Sequence, residues 1–385
     1  MYRKAVCVSD LRFGMYIAEL DRPWTETPFM FQGFYLSTDR QLQALRQLCR
    51  QVFVDTARSW PEGTAGPALQ AAPAPGFQLR GTAAYPGQAA LRGEMQAAAG
   101  LCAQTMKTLR EAFAPLASGG TRLDAAPVQQ SVKSLAASVV RNPDALLLLS
   151  KMRDTSVAAH ARALQVCIYM MVFARFLQLE RDQIELLGLL GLLQDVGKLR
   201  LPDGPLEDQV VKKHVELSAH ILGVTSGLPP KLASLALLHH ERQDGSGYPR
   251  GLKGYQIGLN GSIAAICDRY DELLAPAPYG YGHAPSAAVK ALLDERGTAF
   301  HGPLLEEFIR CVGSFPVGTL VELSSGEIGV VIAENLTQRL KPKVMLLRDG
   351  ARKVVDLAAK GSEACRLRRA LDQSAVQFDP RSLLA

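Results

Sequence analysis

Gln194-Asp195-Val196-Gly197-Lys198, His214, His239-His240-Glu241-Arg242-Gln243-Asp244-Gly245-Ser246-Gly247-Tyr248-Pro249 and Cys267-Asp268-Arg269-Tyr270-Asp271 all fall between Leu192 and Asp271, within strongly apolar helical text. Imidazoles and carboxylates that converge in such a setting need an ion or a partner, and a lysine among them suits a phosphate oxygen. The stretch therefore reads as a buried metal-phosphate site inside a helical domain. One position departs from the pattern: Gln194 is neutral and a poorer metal donor than imidazole.

Working outward, the candidate ligands are His160, Asp195, His214, His239, His240 and Asp268. Four of the chain's seven histidines belong to this set. A divalent-metal hydrolase needs several such donors together with open positions for water and a substrate oxygen. His160 alone is weak evidence, because a single helical histidine is commonly a core or surface residue. The His239-His240 pair is stronger, since two adjacent imidazoles at a helix end serve no evident packing purpose. Asp268 follows Ile263-Ala-Ala-Ile-Cys267, where a carboxylate requires a partner or a metal. Lys198, one turn after Asp195, reads either as a phosphate contact or as an ordinary cation at a helix C-terminus. The Asp244–Pro249 loop reads as a stiff turn that can also wall a substrate pocket.

Length and composition bound the rest. The chain has 385 residues, 48% of them hydrophobic and 21% charged, enough for two or three domains with their own cores. Its net charge of +6 is spread along the chain and forms no basic arm, so a nucleic-acid polymer is not expected, and the excess reads as helping to attract a small anionic ligand or as keeping the protein in solution. Seven cysteines without CxxC spacing read as reduced thiols in a cytoplasmic protein. No run approaches the ~18 consecutive apolar residues of a membrane span.

The expected fold class is mainly α, with a small mixed α/β domain before an all-helical domain and a short β appendix after it. Residues 1–56 read as the α/β domain, with strand character at Val6, Val8, Met15–Ile17 and Val52–Val54 and a helix from Asp39. The aromatic cluster from Pro23 to Phe34 is expected to pack that domain's core or dock it on the rest of the chain, the alternative being a sensory or partner surface. Residues 57–93, rich in Ala, Pro and Gly, read as a mobile linker. Residues 94–143 read as a helical neck, with a dimer contact or the first helices of the next domain as alternatives, and 144–313 as the helical site domain. There Val157–Leu177 is expected to form a long amphipathic helix carrying His160, and Lys231–His240 another helix. Residues 314–358 read as a hairpin with a third strand, and 359–385 as a tail.

The run from His239 to Pro249, followed by Gly251-Leu-Lys-Gly254 and Ile257, resembles the HD-GYP family of the HD hydrolase superfamily, known for cyclic di-GMP phosphodiesterases. The resemblance spans roughly Asp154 to Phe308, and residues 1–56 also resemble a small domain found ahead of such modules. It implies metal ligation by His160, Asp195, His214, His239, His240 and Asp268, with Asp195 bridging up to two divalent ions, Fe, Mn or Ni. It further implies catalytic roles for Asp195 and Lys198, and substrate contacts from Lys198, Gly247, Tyr248 and Pro249. Three departures stand against the match. Gln194 replaces the family's His; Ala277 and Gly280 replace two basic residues that contact substrate; and Ser156 replaces a Glu found in members with a third ion.

Two functions follow from that resemblance: a phosphodiesterase acting on cyclic di-GMP, or a catalytically inactive HD-GYP module that binds or interacts within cyclic di-GMP signalling. A third is hydrolysis of another phosphoester. Protein partners in that signalling and a homodimer are expected, and a membrane is not.

Overall fold

The computed structural model describes residues 3–13, 15–22, 27, 34–36, 39–56, 59, 77–85, 89, 91–150, 158–202, 207–275, 282–313, 315–333, 335, 341–347, 353–359 and 365–371. The chain divides into two compact units, one comprising Met1–Ala74 with Leu336–Lys341 and the other Pro75–Asn335 with Pro342–Ala385.

In the first unit, β1 (Arg3–Cys7), β2 (Tyr16–Leu20), β3 (Phe34–Tyr35) and β4 (Gln51–Asp55) form an antiparallel sheet in the order β1-β4-β2-β3. Val52 and Val54 on β4 and Ile17 on β2 are buried, as period-two strands with one covered face require. The helix α1 (Asp39–Leu48) contributes the buried Leu45, with Leu42 and Leu48 packed around the same core. The aromatic cluster expected to fill this core lies almost wholly outside the described residues.

The second unit carries the site. Its helices are α2 (Leu91–Ala117), α3 (Ala125–Arg141), α4 (Pro143–Ser150), α5 (Ala158–Phe176), α6 (Arg181–Leu193), α7 (Asp208–Lys212), α8 (His214–Val224), α9 (Leu232–Ala236), α10 (Gly258–Leu274), α11 (Pro285–Asp294) and α12 (Gly302–Val312). The α3–α4 break is chemically specified. Asn142 Oδ1 accepts from the N–H groups of Asp144 and Ala145 (2.9 and 3.3 Å), and Pro143, which has no N–H, fills the first helical position. Helices α2, α3 and α4 pack on α5, and α3 also packs on α6, so the expected neck is the first layer of the site domain itself.

Helices α5 and α6 lie against each other, and glycine sets how closely. A Cβ at Gly191 would sit 2.5 Å from the Cα of Cys167, so any side chain there would force the pair apart. The contact brings the start of α5 beside the end of α6, where Gln194 and Asp195 follow. Contrary to expectation, α5 is not amphipathic: every residue from Ala163 to Ala174 is buried, because neighbouring helices cover it on all sides.

Two other expectations change. Within the supposed linker, residues 77–85 are fastened to the end of α5: the Gly81 and Ala83 N–H groups donate to the carbonyls of Leu177 and Gln178 (2.8 and 3.0 Å), and the Tyr85 hydroxyl to that of Leu179. The β appendix has five strands, β5 (Leu320–Leu323), β6 (Ile328–Ala333), β7 (Lys343–Leu346), β8 (Val354–Asp356) and β9 (Leu367–Ala370), in the antiparallel order β8-β7-β6-β5-β9. The last strand falls in the expected tail. Its two outward arginines, Arg368 and Arg369, both pair with Glu322 on β5, and their charge hides the strand from a hydrophobic pattern search.

Candidate metal centre

Two imidazoles are aimed from behind by main-chain carbonyls. His214 opens α8 with its Nδ1 2.6 Å from the Val211 carbonyl, and His239 places its Nδ1 2.8 Å from the Ala236 carbonyl. A carbonyl only accepts, so both Nδ1 atoms carry the proton and both Nε2 atoms present lone pairs. The His239 contact also explains a fold difference. It engages the Ala236 carbonyl that a continuing helix would give to His240, and α9 ends at Ala236 with the histidine pair in the following turn.

The two Nε2 atoms lie 3.4 Å apart, at 3.1 Å (His214) and 3.4 Å (His239) from Asp195 Oδ1. His240 completes the group: one donor atom from each of Asp195, His214, His239 and His240 lies within 4.8 Å of every other. Lone pairs and a carboxylate oxygen crowded together repel one another, and Asp195 Oδ1 has no hydrogen-bond donor among the described residues. A divalent cation resolves both problems, so the donor set fits a metal.

The electrostatics agree with ligand states. Burial opposes ionisation of Asp195, but the Lys198 ammonium against its Oδ2 outweighs it and holds the carboxyl well below its usual range. Burial holds the His240 imidazole well below its ordinary value and therefore neutral. The other carboxylate oxygen, Asp195 Oδ2, accepts from Lys198 Nζ at 2.7 Å; that lysine side chain is 36% exposed and reaches the rim.

Beyond Asp195 the arrangement is different. Asp268 Oδ1 accepts from Arg162 Nη2 (2.9 Å) and from Gln194 Nε2 (3.2 Å). Gln194 thus sits inside the centre, but it turns its N–H toward a carboxylate and leaves its Oε1 buried without a partner among the described residues. Arg162 also lies 3.5 Å from Asp271 Oδ2 and 3.8 Å from Asp195 Oδ2. Burial works against a charged guanidinium, yet the carboxylates of Asp268, Asp271 and Asp195 push its pKa upward.

His160 is not brought into the group. Its ring stacks on Phe113 of α2 (centroids 5.2 Å apart, 30° between planes), and its Nδ1 is buried without a hydrogen-bond partner among the described residues. Residues 160 and 162 point roughly 200° apart around a helix, so only one can face the centre, and it is Arg162. Ser156, Ala277 and Gly280 lie outside the described residues.

The 244–252 loop is tied to the same turn as the histidines. Glu241, fully buried, accepts from the main-chain N–H groups of Arg250 and Leu252, both at 2.8 Å, and the Tyr248 N–H donates to the His240 carbonyl at 3.2 Å. A Cβ at Gly247 would fall 2.4 Å from that carbonyl, which is the close approach that demands glycine there. The Tyr248 ring stacks on His240 (4.6 Å, 20°), and Lys212 Nζ lies 5.4 Å from its centroid, while Pro249 follows through a cis peptide bond. Glu241 and Arg162 are the residues that sequence reasoning left without roles. The available signals were a carboxylate between histidines and a glycine loop, and an arginine entering apolar helical text.

The comparisons with known proteins agree with this architecture. Residues 3–127 match a domain of unknown function, DUF3391, and residues 148–304 match the HD domain. Cyclic di-GMP phosphodiesterase PA4108 of Pseudomonas aeruginosa is 33% identical over 375 residues, covering 93% of this chain and 90% of that protein. The cyclic di-GMP phosphodiesterase response regulator RpfG of Xanthomonas campestris is 33% identical over 147 residues (36% of this chain, 39% of that protein). The 3'3'-cGAMP-specific phosphodiesterase 2 of Vibrio cholerae is 31% identical over 181 residues (43% and 34%). Among solved structures, Bd1817 of Bdellovibrio bacteriovorus, a variant HD-GYP protein, matches 80% of this chain and 98% of its own, with TM-score 0.47 and 13% identity. The chain belongs to the HD-GYP family of HD-domain proteins and carries a DUF3391 domain ahead of that module.

Proposed function

We propose that this chain is a metal-dependent phosphodiesterase that hydrolyses cyclic di-GMP, with Asp195, His214, His239 and His240 holding a divalent ion. The observation that carries the reading is the pair of opposed Nε2 lone pairs on His214 and His239, fixed by carbonyls and facing Asp195 Oδ1. Mixed imidazole and carboxylate ligation suits Fe, Mn or Ni. The resemblance and the 33% identical relative across nearly the whole chain, itself named as a cyclic di-GMP phosphodiesterase, supply the substrate.

A bound ion supplies Lewis-acid activation of water and of a phosphoryl oxygen. The chain's own groups do the rest. Lys198, at the rim, offers a point charge to a non-bridging phosphate oxygen while its bond to Asp195 Oδ2 keeps it in place. Gly247, Tyr248 and Pro249 wall the pocket, and Glu241 keeps that wall from shifting. Among the described residues no helix is long and apolar enough to cross a membrane. Seven free cysteines fit the reducing cytoplasm.

The test is incubation of purified full chain, loaded with Mn(II) or Fe(II) under reducing conditions, with cyclic di-GMP. Conversion to the linear dinucleotide or to GMP is expected. The second reading, an inactive binding module, is favoured by the Gln194 and Arg162 contacts to Asp268. It predicts calorimetric binding of cyclic di-GMP by metal-loaded protein without product, and that result would displace the first.

A further inference from the structure

Resting on that metal-centre reading, we propose that the Arg162 guanidinium is a built-in cation that fills the place of a second metal ion, so the centre holds one divalent ion per chain. Three buried or half-buried carboxylates, Asp195, Asp268 and Asp271, converge on this single side chain at 3.8, 2.9 and 3.5 Å. Arg162 is only 15% exposed, so solvent does not take over its role.

Three features of the centre bear on that assignment. First, the donors divide unevenly. The imidazoles of His214 and His239 gather at Asp195 Oδ1, and His240 belongs to the same donor group. On the Asp268 side, the groups that hydrogen-bond to that carboxylate among the described residues are Arg162 and the Gln194 amide, and the histidine of α5 is turned onto Phe113. Second, the oxygen that a bridging ligand would need is already engaged: Asp195 Oδ2 carries Lys198 at 2.7 Å and has Arg162 close by. Third, charge balance disfavours another divalent ion. The three carboxylates face one guanidinium and one ammonium, so a single divalent ion already leaves this cluster with a positive excess, and another would add two further charges in a buried setting.

Gln194 acquires a reason in this arrangement. With Arg162 on one side of Asp268, an imidazole at position 194 could become a second cation beside the guanidinium, whereas an amide N–H completes the carboxylate's hydrogen bonds without charge.

The test measures metal stoichiometry and not only activity. Full chain is saturated with Mn(II), desalted and analysed by plasma mass spectrometry and electron paramagnetic resonance, as wild type, Arg162→Lys, and Arg162→Ala combined with Gln194→His. One ion per chain with an isolated Mn(II) spectrum is expected for wild type and Arg162→Lys. An increase to two ions with an exchange-coupled spectrum is expected for the double variant. Two ions in wild type overturn the proposal while leaving the metal centre intact, whereas no ion in wild type overturns the metal-centre reading itself. A folded double variant that still binds one ion also overturns the assignment of Arg162 as the occupant. Should that variant not fold, the wild-type stoichiometry and spectrum decide alone.

Discussion

The Nε2 atoms of His214 and His239 face one another at 3.4 Å, each ring held from behind by a hydrogen bond to a carbonyl three residues earlier in the chain. Such an arrangement costs energy without a cation between the rings and is stabilised by one. Metal should therefore be linked to folding. Adding Mn(II) to chelator-treated protein should raise stability by about 2.7 kcal/mol at a hundredfold excess over Kd. Scanning calorimetry should show a rise in Tm of several degrees, lost in His239→Ala. His160→Phe should keep it, because that ring stacks on Phe113 and takes no part in the donor group. Loss of the metal-dependent rise in His160→Phe would restore His160 as a ligand.

Lys198 is bonded to Asp195 but is not a ligand, so its removal should separate chemistry from metal binding. Lys198→Met should retain the metal content of wild type and lose one charge-assisted contact to the substrate phosphate, worth about 1.5–3 kcal/mol. That corresponds to a fall in kcat/KM of roughly 10- to 150-fold. Steady-state kinetics beside metal analysis decide it, and parallel loss of metal would refute the separation.

Glu241 holds two main-chain N–H groups of the 244–252 loop with its two oxygens. In Glu241→Gln the amide NH2 confronts one of those N–H donors, leaving it unsatisfied in a buried position. Urea denaturation should record a loss of about 1–3 kcal/mol. KM for the dinucleotide should rise more than kcat falls, since the pocket wall loosens while the ligands stay. An unchanged denaturation midpoint would show that the clamp carries no energy.

His301 gives a pH dependence away from the metal. Its Nδ1 accepts from the Leu304 N–H at 3.2 Å, capping α12, and burial holds its pKa below the ordinary value. The unfolded state therefore takes up this proton first as pH falls. Stability from this residue is fully present above the unfolded value of about 6.5 and is lost as pH drops toward the lower folded value. His301→Asn keeps a capping oxygen but does not titrate. The fall in Tm between pH 7 and pH 5 should be smaller in this variant than in wild type, and an equal fall would remove His301 from the account.

The sequence alone made legible everything that is local. Lys198 one turn after Asp195, the adjacent pair His239-His240, and the glycine loop ahead of Tyr248 and Pro249 carry their chemistry within a few residues, so spacing suffices to assemble them. The N-terminal α/β domain and the first β-hairpin strands were legible for the same reason, through alternation and turn residues. What only the tertiary structure decided was the rotation of α5. Its core-facing pattern has no polar side from Ala163 to Ala174, because helices cover it all round, and a helix without an amphipathic phase does not announce which of His160 and Arg162 looks inward. That choice is made by the close packing of α5 on Gly191 of α6 and by three carboxylates, Asp195 from the turn after α6 and Asp268 and Asp271 from α10, groups that are neighbours only once the chain has folded.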